Sequence, residues 1–201
     1  CIDPSSAIEV AKKNILNTNC VFHQNGVDNI PLDDDSMDFG YCLGVLHHIP
    51  NTQSGLDSCV KKLKPGAPFL IYLYYSFENR PLWFRFIWKL TNYFRFFSSR
   101  LPMKLRYLVS QLAALFIYYP VARTALIFEK LNFDTSVFPL NYYRKSSFYT
   151  MRTDALDRFG TILEKRFTKM EVETMMQRSG LVDIIFSNKA PFWTAIGFKK
   201  K

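Results

Sequence analysis

Residues 1 to 75 alternate short apolar runs with helical patterns, and no other feature limits the possible folds so sharply. Parallel strands need a long crossover, usually a helix, so this alternation predicts βαβ units and a parallel sheet. Cys1 and Ile2 read as the stub of a strand ending at Asp3, and Ser6 followed by Glu9 can form a capping box for a helix to about Asn14. Cys20 to Gln24 and Asp38 to Gly44 read as two more strands. Ser54 to Leu63 fits a helix closed by the Lys64-Pro65-Gly66 turn, and Ala67 to Tyr75 is the most strand-like run in the chain. Near the other end, Thr168 with Glu171 makes a second capping box, and Gly180 stands where a C-terminal cap belongs. Val182 to Ser187 and Phe192 to Phe198 then predict an antiparallel hairpin.

The middle of the chain has a different composition. Residues 80–130 hold 13 of the 33 aromatic residues and nine basic side chains against the single acid Glu129. Leu105, Leu108, Val109, Leu112, Phe116 and Tyr119 keep helical spacing, and Phe84, Ile87, Trp88, Phe94 and Phe97 nearly do. Residues 132–162 read as mostly irregular. The expected division is therefore an α/β domain over 1–78 and 163–201, with a helical, aromatic cap inserted over 79–162.

Charge follows the same division. Residues 1–60 carry 2 basic and 8 acidic side chains, whereas residues 61–201 carry 24 and 9, so any basic surface belongs to the second part. A chain that is 48% hydrophobic and 21% charged is neither disordered nor a coiled coil. Its four cysteines, at positions 1, 20, 42 and 59, form no CxxC pair, which argues against a disulfide framework or a structural zinc and for a reducing compartment. Cys20 and Cys42 read as small core residues, and no metal site is expected. Leu108 to Phe128 is broken by Gln111, Pro120 and Arg123, so the chain is expected not to span a membrane and to be cytoplasmic. Beginning at a cysteine beside a strand end, it is expected to start inside a larger protein.

In open α/β sheets ligands collect at the carboxyl ends of the strands. The candidates there are Asp3, Asn25 to Asp28, Leu43 to His48, and Tyr74 to Ser76. Asp3 can accept hydrogen bonds from two ribose hydroxyls, or can simply stabilise the start of the helix that follows.

Five segments appear in series at these places: Ile2-Asp3-Pro4-Ser5, Asp28-Asn29-Ile30-Pro31-Leu32, Asp35-Ser36-Met37-Asp38-Phe39, Gly44-Val45-Leu46-His47-His48-Ile49 and Leu63-Lys64-Pro65-Gly66. Together they resemble the motifs that follow the glycine-rich loop in class I S-adenosylmethionine-dependent methyltransferases, of the type 11 kind. The resemblance implies a Rossmann-like three-layer α/β sandwich, strand order 3-2-1-4-5-7-6, and S-adenosylmethionine as cofactor. It implies that Asp3 holds the ribose, that Asn25, Gly26, Val27 and Asp28 border the adenine, and that Leu43, Gly44 and Val45 pass beneath the methionine part. Residues 1–201 lack the strand and glycine-rich turn that open the family's domain, so the fold is expected to be incomplete at the N-terminus, the chain truncated, and cofactor binding weak.

His47 is the candidate general base, taking a proton from an acceptor hydroxyl or amine; alternatively, one of His47 and His48 packs under the following turn and the other is solvated. Methyl transfer itself asks mainly for alignment of nucleophile, methyl carbon and sulfur. The cap over 80–130 could cover a small or amphiphilic acceptor or make peripheral membrane contact; nucleic acid is not expected. Arg152 or Asp154 could reach the substrate, or belong to a salt-bridged surface turn. Two other functions stay open: a noncatalytic membrane- or partner-binding remnant, and a nicotinamide-dependent Rossmann oxidoreductase, which the closing hairpin disfavours.

Overall fold

In the computed structural model, which describes residues 1–16, 19–136 and 138–201, the apolar runs assemble into a four-stranded sheet. Its strands are β1 (Gly40–Leu43), β2 (Pro68–Tyr72), β3 (Leu181–Phe186) and β4 (Ala195–Lys199), in the order β1-β2-β4-β3. β1 and β2 are parallel, with Gly40 opposite Phe69 and Cys42 opposite Ile71. β4 runs antiparallel to both β2 and β3. This is the 4-5-7-6 run of the implied strand order, ending in the expected hairpin.

Two helices cover one face of this sheet. α2 (Thr52–Lys61) starts where the Asn51 side chain accepts the Ser54 N–H at 3.1 Å, and α7 (Lys169–Arg178) starts on the capping box between Thr168 and Glu171. Leu56 and Val60 from α2, Val172 and Met176 from α7, and Phe69, Ile71, Leu181 and Ala195 from the strands form one buried cluster, with Cys42 and Cys59 packed against it. The period of two decides the register, since Phe69 and Ile71 alternate inward while Pro68, Leu70 and Tyr72 stay half-covered. Among the described residues, β1 pairs with β2 alone, and Phe39, Tyr41 and Leu43 are exposed beside its open edge.

The first forty residues are less regular than the sequence predicts. The strands expected at Cys1-Ile2 and Cys20 to Gln24 reduce to one parallel bridge between Ile2 and His23. α1 (Ala7–Asn14) forms, but Ser6 makes no side-chain cap. Instead the Ser5 hydroxyl accepts the Ala7 N–H at 3.2 Å, and Asp3 accepts from both the N–H and the hydroxyl of Ser5. The cap has moved one residue toward the N-terminus because Asp3 orients Ser5.

The chain divides into two compact units, Cys1–Ser76 with Leu163–Lys201, and Phe77–Ile162. The second unit holds α3 (Leu82–Ser98), α4 (Met103–Ala113), a π-helical turn (Ala114–Tyr118), α5 (Tyr119–Lys130) and α6 (Phe148–Gly160). α6 lies where irregular chain was expected. The Ser147 hydroxyl caps it by accepting the Thr150 N–H at 3.1 Å, and Met151, Ala155 and Phe159 bury one face of it. The apolar run Leu108 to Phe128, interrupted by Gln111, Pro120 and Arg123, lies within one 28-residue helix, Met103–Lys130, which is long and apolar enough by length and composition to cross a bilayer. The widened π turn changes the hydrogen-bond register just before Pro120, whose ring nitrogen cannot donate. Arg123 binds that helix to its own unit through the Arg144 and Ser146 carbonyls at 2.6 and 3.0 Å.

Candidate functional site

β1 ends in a turn that only glycine makes without strain. Gly44 has φ +74 and donates its N–H to the Tyr72 carbonyl at 2.9 Å; among the described residues a Cβ there would meet Tyr72 Cδ1 alone, at 4.0 Å. Leu43 and Val45 on either side are exposed. The chain then dives inward at Leu46, whose carbonyl accepts the Thr52 hydroxyl at 2.9 Å.

The other predicted cofactor residues are tied to this turn in two steps. Val27 packs against the α/β core, and a Cβ on Gly55 would strike Ile49, Leu46 and Val27 together, so the Asn25–Asp28 loop lies against the segment that follows Gly44. Asp3 donates its N–H to the His23 carbonyl at 3.2 Å, two residues before Asn25. Gly26 sits in a tight bend where its carbonyl accepts the Asn29 N–H at 3.1 Å, and Asp28 Oδ1 occupies the space a Cβ would need. Asp3 Oδ1 accepts the Ser5 N–H at 2.8 Å and the Ser5 hydroxyl at 2.5 Å, and the Asp3 residue is half-exposed.

His47 is not placed as a base for an outside acceptor. It lies in the short 3-10 turn Leu46–His48, is 0% exposed, and stacks on Tyr74 with ring centroids 3.7 Å apart. Among the described residues, neither ring nitrogen has a hydrogen-bond partner. Burial, reinforced by the charges of His48 and Arg166, pushes its pKa down to about 3, so the ring is neutral at ordinary pH. The accessible histidine is its neighbour. His48 is half-buried, with Nδ1 2.8 Å from the Leu163 carbonyl.

A strap that the sequence did not single out closes this end of the sheet. Tyr75 bridges Phe167 in parallel, the Phe167 N–H donates to the Tyr74 carbonyl at 2.8 Å, and the Lys165 N–H donates to the His47 carbonyl at 3.0 Å. Within the strap, Arg166 meets Glu164 at 2.9 Å, with side chains only 13% and 2% exposed, and its guanidinium lies 5.0 Å from the Tyr74 ring centroid. His48, Tyr74, Glu164 and Arg166 therefore converge beyond the carboxyl end of β2. Arg152 and Asp154 belong to α6 in the other unit; Arg152 lies 4.9 Å from the Tyr149 ring, and burial raises the Asp154 pKa.

Residues 1–71 match the sequence profile of the family described as a methyltransferase domain. The α/β unit has the class I methyltransferase fold. Three solved structures illustrate the likeness. A Haloferax volcanii protein solved with the Trm112 methyltransferase activator is 13% identical, with a TM-score of 0.51 over 100% of this chain and 71% of that one. A SAM-dependent methyltransferase from Methanosarcina mazei is 16% identical, with a TM-score of 0.50 over 99% and 80%. Human N-acetylserotonin methyltransferase, solved with SAM, is 15% identical, with a TM-score of 0.50 over 100% of this chain and 40% of that one. No curated protein matches the chain. At these identities the structural likeness speaks for the fold alone.

Proposed function

We propose that residues 1–76 and 163–201 of this methyltransferase fold bind S-adenosylmethionine and offer its methyl group to a small or amphiphilic acceptor. The observation that carries this reading is the positive-φ turn at Gly44 packed beside the Asn25–Asp28 loop at the carboxyl end of a parallel strand. In this reading the Asp3 carboxylate would hold the ribose diol, Asn25 to Asp28 would border the purine, and the Gly44 backbone would lie beneath the methionine part. The cofactor brings an activated methyl on its sulfonium, and the protein's part is alignment. In this reading His48, rather than the buried His47, takes the acceptor's proton, and Glu164 and Arg166 shape that side. The antiparallel β3–β4 closure weighs against the nicotinamide alternative.

Residues 1–201 contain no GxGxG turn to cradle the methionine end, so we infer that they bind the cofactor weakly. Calorimetric titration with S-adenosylmethionine tests that point, and tight binding by residues 1–201 refutes it. Saturation-transfer NMR with adenosine tests the nucleoside cleft separately. An adenosine signal that Asp3→Ala abolishes supports the assignment; no signal, or one indifferent to Asp3→Ala, overturns it and leaves the noncatalytic reading.

A further inference from the structure

The helical unit, residues 77–162, is packed in the reverse of a water-soluble bundle. Its buried cluster consists of Ala113, Ala114, Ala122 and Ala155 with Tyr118, Met151 and Phe159, while Trp83, Phe86, Tyr93, Phe96, Phe97 and Phe116 are exposed. Small residues at helix contacts with large apolar residues outward is the arrangement used where the outer solvent is lipid.

α3 shows this most sharply. The face it turns inward carries Phe84, Trp88, Thr91, Arg95 and Ser98, and that face is held by polar bonds: Arg95 donates to the Thr161 carbonyl at 3.0 Å and Ser98 to the Phe159 carbonyl at 2.7 Å. The outward face carries Leu82, Trp83, Phe86, Ile87, Leu90, Tyr93, Phe94 and Phe97, all exposed, with Phe86, Tyr93 and Phe97 at 69%, 72% and 68%. At 100° per residue these eight fall within an arc of roughly 140°, and the helix is roughly 25 Å long. Arg85 and Lys89 stand at one margin of the arc, where their stems lie along apolar surface and their charges reach outward. A shallow groove lined by Asn92, Tyr93, Phe96 and Phe97 continues the same face.

Charge selects the occupant. This unit carries 13 basic and 5 acidic side chains, so eight of the chain's nine excess positive charges belong to it. Within residues 80–130 the lone acid, Glu129, is already neutralised by Arg144 and Lys145, each at 3.0 Å. A second copy of the chain would bring like charge against like charge. An anionic surface with an apolar interior satisfies both halves of the face.

We propose that α3 is an in-plane membrane anchor: it lies in the headgroup region of an anionic bilayer, its aromatic face in the acyl boundary and Arg85 and Lys89 at the phosphates. The proposal is independent of cofactor binding, and its failure leaves the methyltransferase reading as it stands. Sedimentation of the full chain with phosphatidylglycerol-containing vesicles is expected to bind it, and pure phosphatidylcholine vesicles more weakly. Arg85→Gln and Lys89→Gln should each weaken binding about fivefold at low salt. Phe86→Glu with Leu90→Glu should weaken it more than about tenfold while leaving helix content and melting unchanged, since both side chains point away from the unit's core. Should that double variant misfold, Trp83 supplies a second readout. In a Trp88→Phe, Trp193→Phe chain its emission should shift to the blue on adding anionic vesicles and become protected from an aqueous quencher. Equal binding to both vesicle types, full binding by a folded double variant, a Trp83 that stays in water while the chain pellets, or a dimer that occupies α3 without vesicle binding would each overturn the proposal.

Discussion

The buried histidine makes stability depend on pH in a way that can be calculated. His47 has a folded pKa of about 3 against 6.5 for the free group, because burial disfavours its cation and neighbouring positive charge adds to that. A base whose folded pKa is depressed contributes stability above the unfolded value, and that stability is lost as the pH falls from 6.5 toward 3. At pH 5 the unfolded ring is almost wholly protonated while the folded ring stays neutral, a loss of about 2 kcal/mol relative to pH 7.5. Replacing His47 by Phe keeps a flat ring against Tyr74 and removes the titration. Urea unfolding of the α/β unit, followed by Trp193 fluorescence in a Trp83→Phe, Trp88→Phe background, measures the effect at both pH values. The wild-type residue should lose about 2 kcal/mol more than His47→Phe on going to pH 5. Parallel pH dependence in the two chains would refute the claim that His47 is locked neutral in the core, and would return it to the list of solvent-facing bases.

Three other substitutions probe the site and its supports. Gly44→Ala would make only ordinary contact with Tyr72 among the described residues, so the left-handed backbone is what opposes it; urea unfolding should show a loss of about 1 kcal/mol, and NMR should show adenosine binding impaired as well. Glu164→Gln leaves the nearly buried Arg166 without its carboxylate and should cost about 3 kcal/mol, part of which Arg166→Leu in the same chain should restore in a double-mutant cycle. Thr168→Ala removes the capping box of α7 and should lower stability by about 1 kcal/mol, again read by urea unfolding.

Local signals account for what the sequence made legible. The apolar run at β2, the Thr168–Glu171 box and the hairpin turn each act over a few residues, and each forms where expected. Elements whose partners are distant were harder to read. α6 was obscured by Arg152, Asp154, Asp157 and Arg158, although Met151, Ala155 and Phe159 recur every four residues and mark its inward face. Glu164-Lys165-Arg166 reads as a solvated charge run, and only pairing with Tyr74 to Ser76, some ninety residues earlier, buries Glu164. His47 and His48 are indistinguishable by type, and the tight turn sends one ring inward to stack on Tyr74 and leaves the other half in solvent. α3 presents the opposite difficulty. Its period is plain, but a period names two faces without saying which one meets water, and the usual assumption assigns the larger apolar face to the core. Here Arg95 and Ser98 hold the smaller, more polar face inward through carbonyls at the end of α6 and just beyond it, so the helix is fixed with Phe86, Leu90 and Phe97 outward. A face so fixed and so apolar is at odds with water on one side, and the anionic interface proposed above resolves that conflict without moving a single hydrogen bond.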